Sequence, residues 1–243
     1  MTKQKLEARG LCFSYEAKTI VHDVNMVVSQ GEIRGVLGPN GAGKSTTFNM
    51  LAGIVPPKKG AIYLSNIDIT SLSLAARAQQ GVSYLPQDAS IFQGLTVAEN
   101  IYAVLELSKK LSKDEKQARL ESLLEEFELA KIRNNLGVSV SGGERRRVEV
   151  ARAVALEPKF LLLDEPFAGI DPLSISEITE VIFNVRAKGV GVLITDHNVR
   201  ETLEICDTAD ILHAGTIIAS GKPAEIIASP QVQKVYLGDS FVK

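Results

Sequence analysis

Apolar residues in this chain follow two different spacings. In the first eighty or so residues they alternate with polar ones or form short β-branched runs, at 5–15, 24–28, 32–37 and, past the breaker IVPPKKG, 61–64. These segments predict strands of a small N-terminal antiparallel β subdomain. From about 96 to 156 the spacing turns helical, and Thr96 with Glu99 and Ser112 with Glu115 stand at capping-box distance, which predicts an inserted α-helical subdomain. Buried-strand runs follow at 160–163 and 191–195, separated by a helix that opens at Asp171 and Pro172 and closes near Gly189. Strand, helix, strand predicts a parallel sheet, so the fold class is α/β. A further strand is expected at 82–85, a hairpin at 211–213 and 216–219 about Gly215, and a short helix from Pro223. The tail VYLGDSFVK is amphipathic: Ile226, Ile227, Val235 and Tyr236 either pack a terminal helix or meet a partner. One domain over 1–243 is expected, with a core in about 1–87 and 157–243 and the helical subdomain in about 88–156.

The run GPNGAGKS matches the phosphate-cradling pattern G-x-x-x-x-G-K-[ST] between an expected strand at 32–37 and an expected helix from Ser45 to Ala52. Gly38, Gly41 and Gly43 let the backbone of Pro39, Asn40 and Ala42 curl so that N–H groups face an anion. The helix that starts at Ser45 and Thr46 turns its positive dipole end to the same place. Lys44 adds a full charge, and the Ser45 hydroxyl suits Mg²⁺. This predicts a site for a nucleoside triphosphate.

At the end of the strand 160–163, Asp164 and Glu165 reach the carboxyl edge of the sheet, where ligands of α/β folds bind. Asp164 suits Mg²⁺ and Glu165 suits a general base for an attacking water; a bare helix cap is the alternative. His197, after the strand 191–195, is placed to contact the γ-phosphate or the water, although a lone histidine is more often structural. Gln87 follows the strand 82–85 and could reach Mg²⁺ or water through its amide. Tyr15 could stack on adenine or simply pack its sheet. SGGERRR supplies a second candidate: Ser141 and Glu144 have capping-box spacing, and Gly142 and Gly143 leave the helix start open to an anion. With only one lysine-bearing loop and one Asp-Glu pair, the second helix start needs a phosphate held by another copy, which a symmetric dimer provides.

With 243 residues, 45% hydrophobic and 23% charged, the composition is that of an ordinary soluble protein. A net charge of −2 gives no reason to expect a nucleic-acid partner. No apolar run is long enough to cross a bilayer, and MTKQKLEARG lacks the apolar centre of a signal peptide, so a cytoplasmic location is expected. Cys12 and Cys206 are expected to be free thiols.

The loop, the SGG run and the Asp-Glu strand, in that order, resemble the ATP-binding cassette (ABC) ATPases over essentially the full length. The resemblance implies a P-loop NTPase core of ABC type, an ATPase that takes ATP and Mg²⁺, and a homodimer that sandwiches ATP. In that sandwich 38–45, Tyr15, Gln87, Asp164, Glu165 and His197 face Ser141, Gly142, Gly143, Glu144 and Asp171 of the partner. Val140 and Glu144 depart from the common leucine and glutamine, but neither change removes a glycine or the serine. More narrowly, LPQDASIF, SGGERRRVEVARA, DEPFAGIDP, ITDHNVRET and VYLGDSF are similar to the ATPases that power lipopolysaccharide export. This implies a peripheral protein on the cytoplasmic face of a Gram-negative inner membrane, held there by two transmembrane subunits docking near Ile91 and Phe92. Gln93 stands where a basic residue is expected. ATPases of branched-chain amino acid importers share parts of the tail and groove and form the alternative. A lone phosphate-loop kinase or GTPase would leave SGGERRR without purpose, and the guanine-specifying N-K-x-D is absent.

Overall fold

The structure, a computed structural model, describes residues 3–16 and 18–237. The last six residues of VYLGDSFVK lie outside the described residues. Strand β1 (Lys5–Tyr15) buries Leu6 and Ala8, then Leu11 and Phe13, so its inward parity changes once. The pairing with β2 (Lys18–Ser29) shifts register between Ala8 and Leu11, around Gly10 at φ 62°. One extra residue in left-handed conformation is a bulge, and it turns the second half of the strand back onto the core. With β4 (Lys59–Leu64) and β5 (Ile67–Asp68) these strands form an antiparallel sheet in the order β2-β1-β4-β5.

A second sheet holds β3 (Ile33–Leu37), β6 (Val82–Leu85), β7 (Phe160–Asp164), β8 (Gly191–Thr195), β9 (Thr208–His213) and β10 (Thr216–Gly221) in the order β10-β9-β3-β8-β7-β6. All pairs are parallel except the β9–β10 hairpin, which turns through Ala214 (φ 47°) and Gly215 (φ 81°). Every residue of β7 and β8 is buried, as expected of parallel strands covered on both faces.

On one face α1 (Lys44–Ala52) and the antiparallel sheet pack Phe48, Leu51, Val21 and Ile62 against Phe160, Leu162 and Leu193. On the other face lie α3 (Val97–Glu106), α4 (Lys113–Glu126), α5 (Gly142–Val154) and α6 (Pro172–Ala187). Their Ile101, Leu124, Val150 and Ile182 join Leu161, Leu163 and Ile194 in one cluster. Both expected capping boxes are formed, at Thr96 with Glu99 and Ser112 with Glu115. The terminal segment α8 (Pro223–Ala228), α9 (Pro230–Val232) and the turn Gln233–Leu237 packs Ile226, Val232, Tyr236 and Leu237 on Leu37, Leu203 and Ile211. As far as 237 the tail therefore packs on its own core.

Two short helices are not announced by the sequence pattern: α2 (Leu74–Gln80) and α7 (Val199–Ile205). The buried residue of α2 is Arg77, whose guanidinium donates to the carbonyls of Met50 and Leu51, each at 2.6 Å, and to those of Thr70 and Leu72. A cation thus caps the C-terminal end of α1, opposite the end that faces the phosphate loop. Burial, opposed only by Asp68, lowers its pKa to about 10.

Candidate nucleotide site

Strand β3 ends at Leu37, and the chain bends through Gly41 (φ 78°) and Gly43 (φ 104°) before α1 begins at Lys44. A Cβ at Gly38 would overlap the Leu212 carbonyl oxygen of neighbouring β9. The β9–β10 turn holds the loop from behind: Gly215 N–H donates to Ala42 O at 2.9 Å. Ala42 N–H donates to Pro39 O at 3.2 Å, leaving Asn40 and Gly41 exposed at the mouth. Gly43, at the N-cap of α1, has no side chain with which to cap the first-turn N–H groups. Those donors and the helix dipole favour an anion there. Ser45 is exposed beside them and Thr46 is half-buried.

Lys44 is buried, and its ammonium donates to Gly38 O at 2.7 Å and Pro39 O at 3.2 Å. Burial lowers its pKa, while the charges of Glu165, Asp164 and Asp196 oppose the shift. The lysine therefore lies in the field of three carboxylates at the sheet edge, which is where a phosphate chain needs a counter-charge.

Register explains why those carboxylates meet. Asp164 pairs level with Thr195, and Leu85 with Leu163, so the ends of β6, β7 and β8 open on one edge. Asp164 Oδ2 accepts from the Tyr84 hydroxyl at 3.1 Å, whereas Oδ1 is enclosed without a hydrogen-bond partner. Burial raises the Asp164 pKa, and Tyr84, Arg146 and Lys44 pull against that rise. Glu165 sits at φ 46°, a left-handed conformation uncommon outside glycine, and its N–H donates to Thr195 O at 2.8 Å. Its Oε2 accepts from Gln87 Nε2 at 2.7 Å and lies 3.3 Å from His197 Nδ1. Gln87 and His197 thus both meet Glu165, which Asp164 precedes in the chain.

Three groups that reasoning on the sequence missed complete the edge. Asp196 is fully buried and accepts from Phe167 N–H at 3.0 Å and Asn198 N–H at 2.8 Å, fixing the loop on which His197 stands. Burial raises its pKa too. Arg146 of α5 donates to Asp164 O at 3.3 Å, Pro86 O at 3.2 Å and Glu149 Oε2 at 3.1 Å. Glu149 in turn accepts from Ser90 N–H at 2.6 Å, so α5 fastens the loop bearing Gln87. Tyr84 is the third, through its bond to Asp164. A signal was present in each case: an Arg-Glu pair three residues apart on the face of α5 that carries Val150, and polar residues inside or just beyond buried strands.

Ser141 caps α5, accepting from Glu144 N–H at 3.3 Å while its own N–H donates to Glu144 Oε2 at 2.8 Å. A Cβ on Gly143 would strike Ser174 Oγ, which donates to Asp171 Oδ2 at 2.6 Å. Asp171 also caps α6 and accepts from Leu173 and Ser174 N–H, and these bonds hold its carboxyl below the usual range. The start of α5 and the start of α6 are therefore one packed unit. Tyr15 is 56% exposed, with Phe13 edge-on to its ring at 4.8 Å. Ile91, expected at a docking surface, is instead buried in the core at 9% exposure, because Ser90 beside it is bonded to Glu149 of α5 and the side chain joins that helix's Val150 and Ala151 in one cluster. Phe92 is exposed, with the Arg152 guanidinium 4.4 Å from its ring centre, and Leu136 and Val138 are exposed on the segment that bonds to the Gln93 backbone. Cys12 and Cys206 are free thiols.

Among the described residues, no helix is long and apolar enough to cross a membrane. A family model described as ABC transporter matches residues 21–168, and one described as Branched-chain amino acid ATP-binding cassette transporter matches residues 216–242. The chain is 53% identical over 236 residues to the Lipopolysaccharide export system ATP-binding protein LptB of Haemophilus influenzae, covering 97% of this chain and 98% of that protein. The protein of the same name from Escherichia coli (strain K12) is 52% identical over the same shares. The fold superposes with a TM-score of 0.87 on the ADP conformation of an ATP-binding cassette of an ABC transporter, at 26% identity, covering 98% of this chain and all of that one. With the loop, the carboxylate edge and the capped SGG helix in one cassette fold, the chain belongs to the ABC transporter family as an ATPase.

Proposed function

We propose that this protein is the ATP-hydrolysing subunit of a transporter that extracts lipopolysaccharide from the inner membrane and sends it toward the outer membrane. The observation that carries the proposal is the identity of about half of the residues, over 97% of the chain, with the export-system proteins named above. The alternative, a branched-chain amino acid importer ATPase, draws on the match at 216–242, a short C-terminal stretch, and is less supported.

In this reading ATP lies with its phosphates over 38–45 and its base against the exposed ring of Tyr15. Lys44 exchanges its bonds to the Gly38 and Pro39 carbonyls for bonds to the β- and γ-phosphates. The unpartnered, buried Oδ1 of Asp164 fits a cation ligand, and Ser45 and Gln87 are the other residues that would hold Mg²⁺. When bound, Mg²⁺ neutralises phosphate charge. Glu165 takes the proton of the attacking water, and His197, in contact with Glu165, orients that base and stabilises charge on the transferring phosphoryl group. A second copy supplies Ser141, Gly142, Gly143, Glu144 and Asp171 to the γ-phosphate side. ATP thus favours the closed dimer, and hydrolysis removes the contact.

The surface about Phe92 receives a helix from each of two membrane subunits and so holds the protein at the cytoplasmic face of the inner membrane. The core in about 1–87 and 157–243 binds nucleotide, while about 88–156 moves with the docked helices. The test is to isolate the protein with the membrane subunits that co-purify, place the complex in vesicles and measure ATP turnover. Turnover that responds to lipopolysaccharide and not to leucine or valine is expected. The reverse response would establish the importer reading.

A further inference from the structure

Strand β6 carries Tyr84 level with Leu162 of β7, and the tyrosine packs on the cluster that holds Phe48, Phe160 and Leu162. The hydroxyl stands at the carboxyl edge of the sheet and donates to Asp164 Oδ2 at 3.1 Å. Oδ1 of the same carboxylate is enclosed and has no hydrogen-bond partner. The two oxygens of one buried side chain are therefore treated differently: one is engaged and the other is kept open. The group that engages the first is a neutral donor, which orients a carboxylate without cancelling its charge as lysine or arginine would. The cation beside it, Arg146, bonds the backbone carbonyl of Asp164 at 3.3 Å rather than the carboxylate. Burying an oxygen without a partner destabilises a fold, so the arrangement calls for a ligand that repays it.

We propose that Tyr84 is a positioning residue that sets the metal preference of the nucleotide site: by holding Oδ2 it presents Asp164 to the nucleotide's cation through Oδ1 alone. The inference rests on reading 38–45 as the triphosphate site and Asp164 as a residue that holds its cation. Mg²⁺ is small, keeps several of its waters and is met by one or two carboxylates together with phosphate oxygens. Ca²⁺ takes about six to eight oxygens and readily accepts both oxygens of one carboxylate. A carboxylate with one oxygen already engaged suits Mg²⁺ and handicaps Ca²⁺. Phenylalanine at 84 keeps the ring and releases Oδ2, so Asp164 can turn and offer both oxygens. The orientation of Asp164 and the choice of metal then depend on a hydroxyl that itself need not touch the cation.

The experiment titrates the full chain, parent and Tyr84→Phe, with a fluorescent ATP analogue in EDTA, in Mg²⁺ and in Ca²⁺, so that binding rather than turnover is read. For each variant the metal-free dissociation constant divided by that in each metal gives an enhancement, and the ratio cancels any general weakening of the fold. The Mg²⁺ enhancement should fall by about tenfold in Tyr84→Phe, while the Ca²⁺ enhancement stays within about twofold or rises. In the Asp164→Asn background, Tyr84→Phe should change the Mg²⁺ enhancement by less than about twofold, because the charge that the hydroxyl orients is gone. A fall for Mg²⁺ of less than about threefold, a comparable fall for Ca²⁺, or the same fall in the Asp164→Asn background overturns the proposal. A parent chain whose ATP affinity rises with neither metal would instead overturn the reading of Asp164 as a residue that holds the cation, and the proposal with it.

Discussion

The side-chain amide of Gln87 donates to Glu165 Oε2 across 2.7 Å, joining the loop after β6 to the carboxylate that follows β7. Gln87 is exposed, and its loop is fastened to α5 through Arg146 and Glu149, so movement of that helix reaches the base. Gln87→Ala should lower ATP turnover by about 10- to 100-fold while nucleotide binding stays within a few-fold. Steady-state kinetics with a fluorescent-nucleotide titration checks this. Equal losses in binding and turnover would point to a role in holding ATP rather than the base.

Glu165→Gln removes the proton acceptor and keeps the shape. Turnover should drop by about 10²- to 10⁴-fold, and the variant should accumulate as an ATP-bound dimer. Size-exclusion chromatography in MgATP reads this directly. A monomer at saturating nucleotide would contradict closure on ATP.

Asp164 supplies a test in pH. Burial raises its pKa in the folded chain, so the charged form is penalised on folding. The penalty is present above the folded pKa and vanishes as pH falls below the ordinary carboxylate value of about 3.9. Asp164→Asn should therefore raise the thermal midpoint of the nucleotide-free protein at neutral pH by about 2–4 °C, with the gain shrinking through about pH 4 and gone by about pH 3. It should also abolish Mg²⁺-dependent turnover. Calorimetry across pH decides; a gain undiminished at about pH 3 would assign the stabilisation to something other than the charge.

Arg77→Leu leaves four carbonyls without their donor, the buried ones of Met50 and Leu51 at the end of α1 and the partly buried ones of Thr70 and Leu72. The loss should be about 2–4 kcal/mol in urea unfolding, far above that of an exposed arginine. A change under about 0.5 kcal/mol would mean that water replaces the guanidinium.

Phe92→Ala removes an exposed ring that contributes nothing to the buried core. Turnover of the isolated protein should stay within about twofold while membrane subunits cease to co-purify. Unchanged co-purification would place docking elsewhere.

Much of the fold is legible in the chain because burial is periodic there. β7 and β8 are apolar up to their last residues, Asp164 and Thr195, and the capping residues Thr96, Ser112 and Ser141 stand where helices begin. The pattern fails where burial and polarity part company. In α2 the inward residue is Arg77 while Leu74 is exposed, so no apolar stripe marks the helix. β2 runs from Lys18, well before the apolar segment at 24–28, because Thr19, His22 and Asp23 lie on its open face. The site is legible where one side chain implies one chemistry, as with Lys44, Asp164 and Glu165. Asp196, Arg146 and Tyr84 act by bracing other groups, and their distances of 2.8–3.3 Å arise only from tertiary contact.

The shared reaction centre is tested most directly by mixing two defective copies. Lys44→Ala spoils the loop and Ser141→Arg spoils the opposing helix start, and each alone should show almost no turnover. In an equal mixture about half of the dimers hold one copy of each, and one of their two sites is intact, so turnover should recover to about a quarter of that of the parent. Activity no greater than the mean of the separate variants would contradict a site built from two chains.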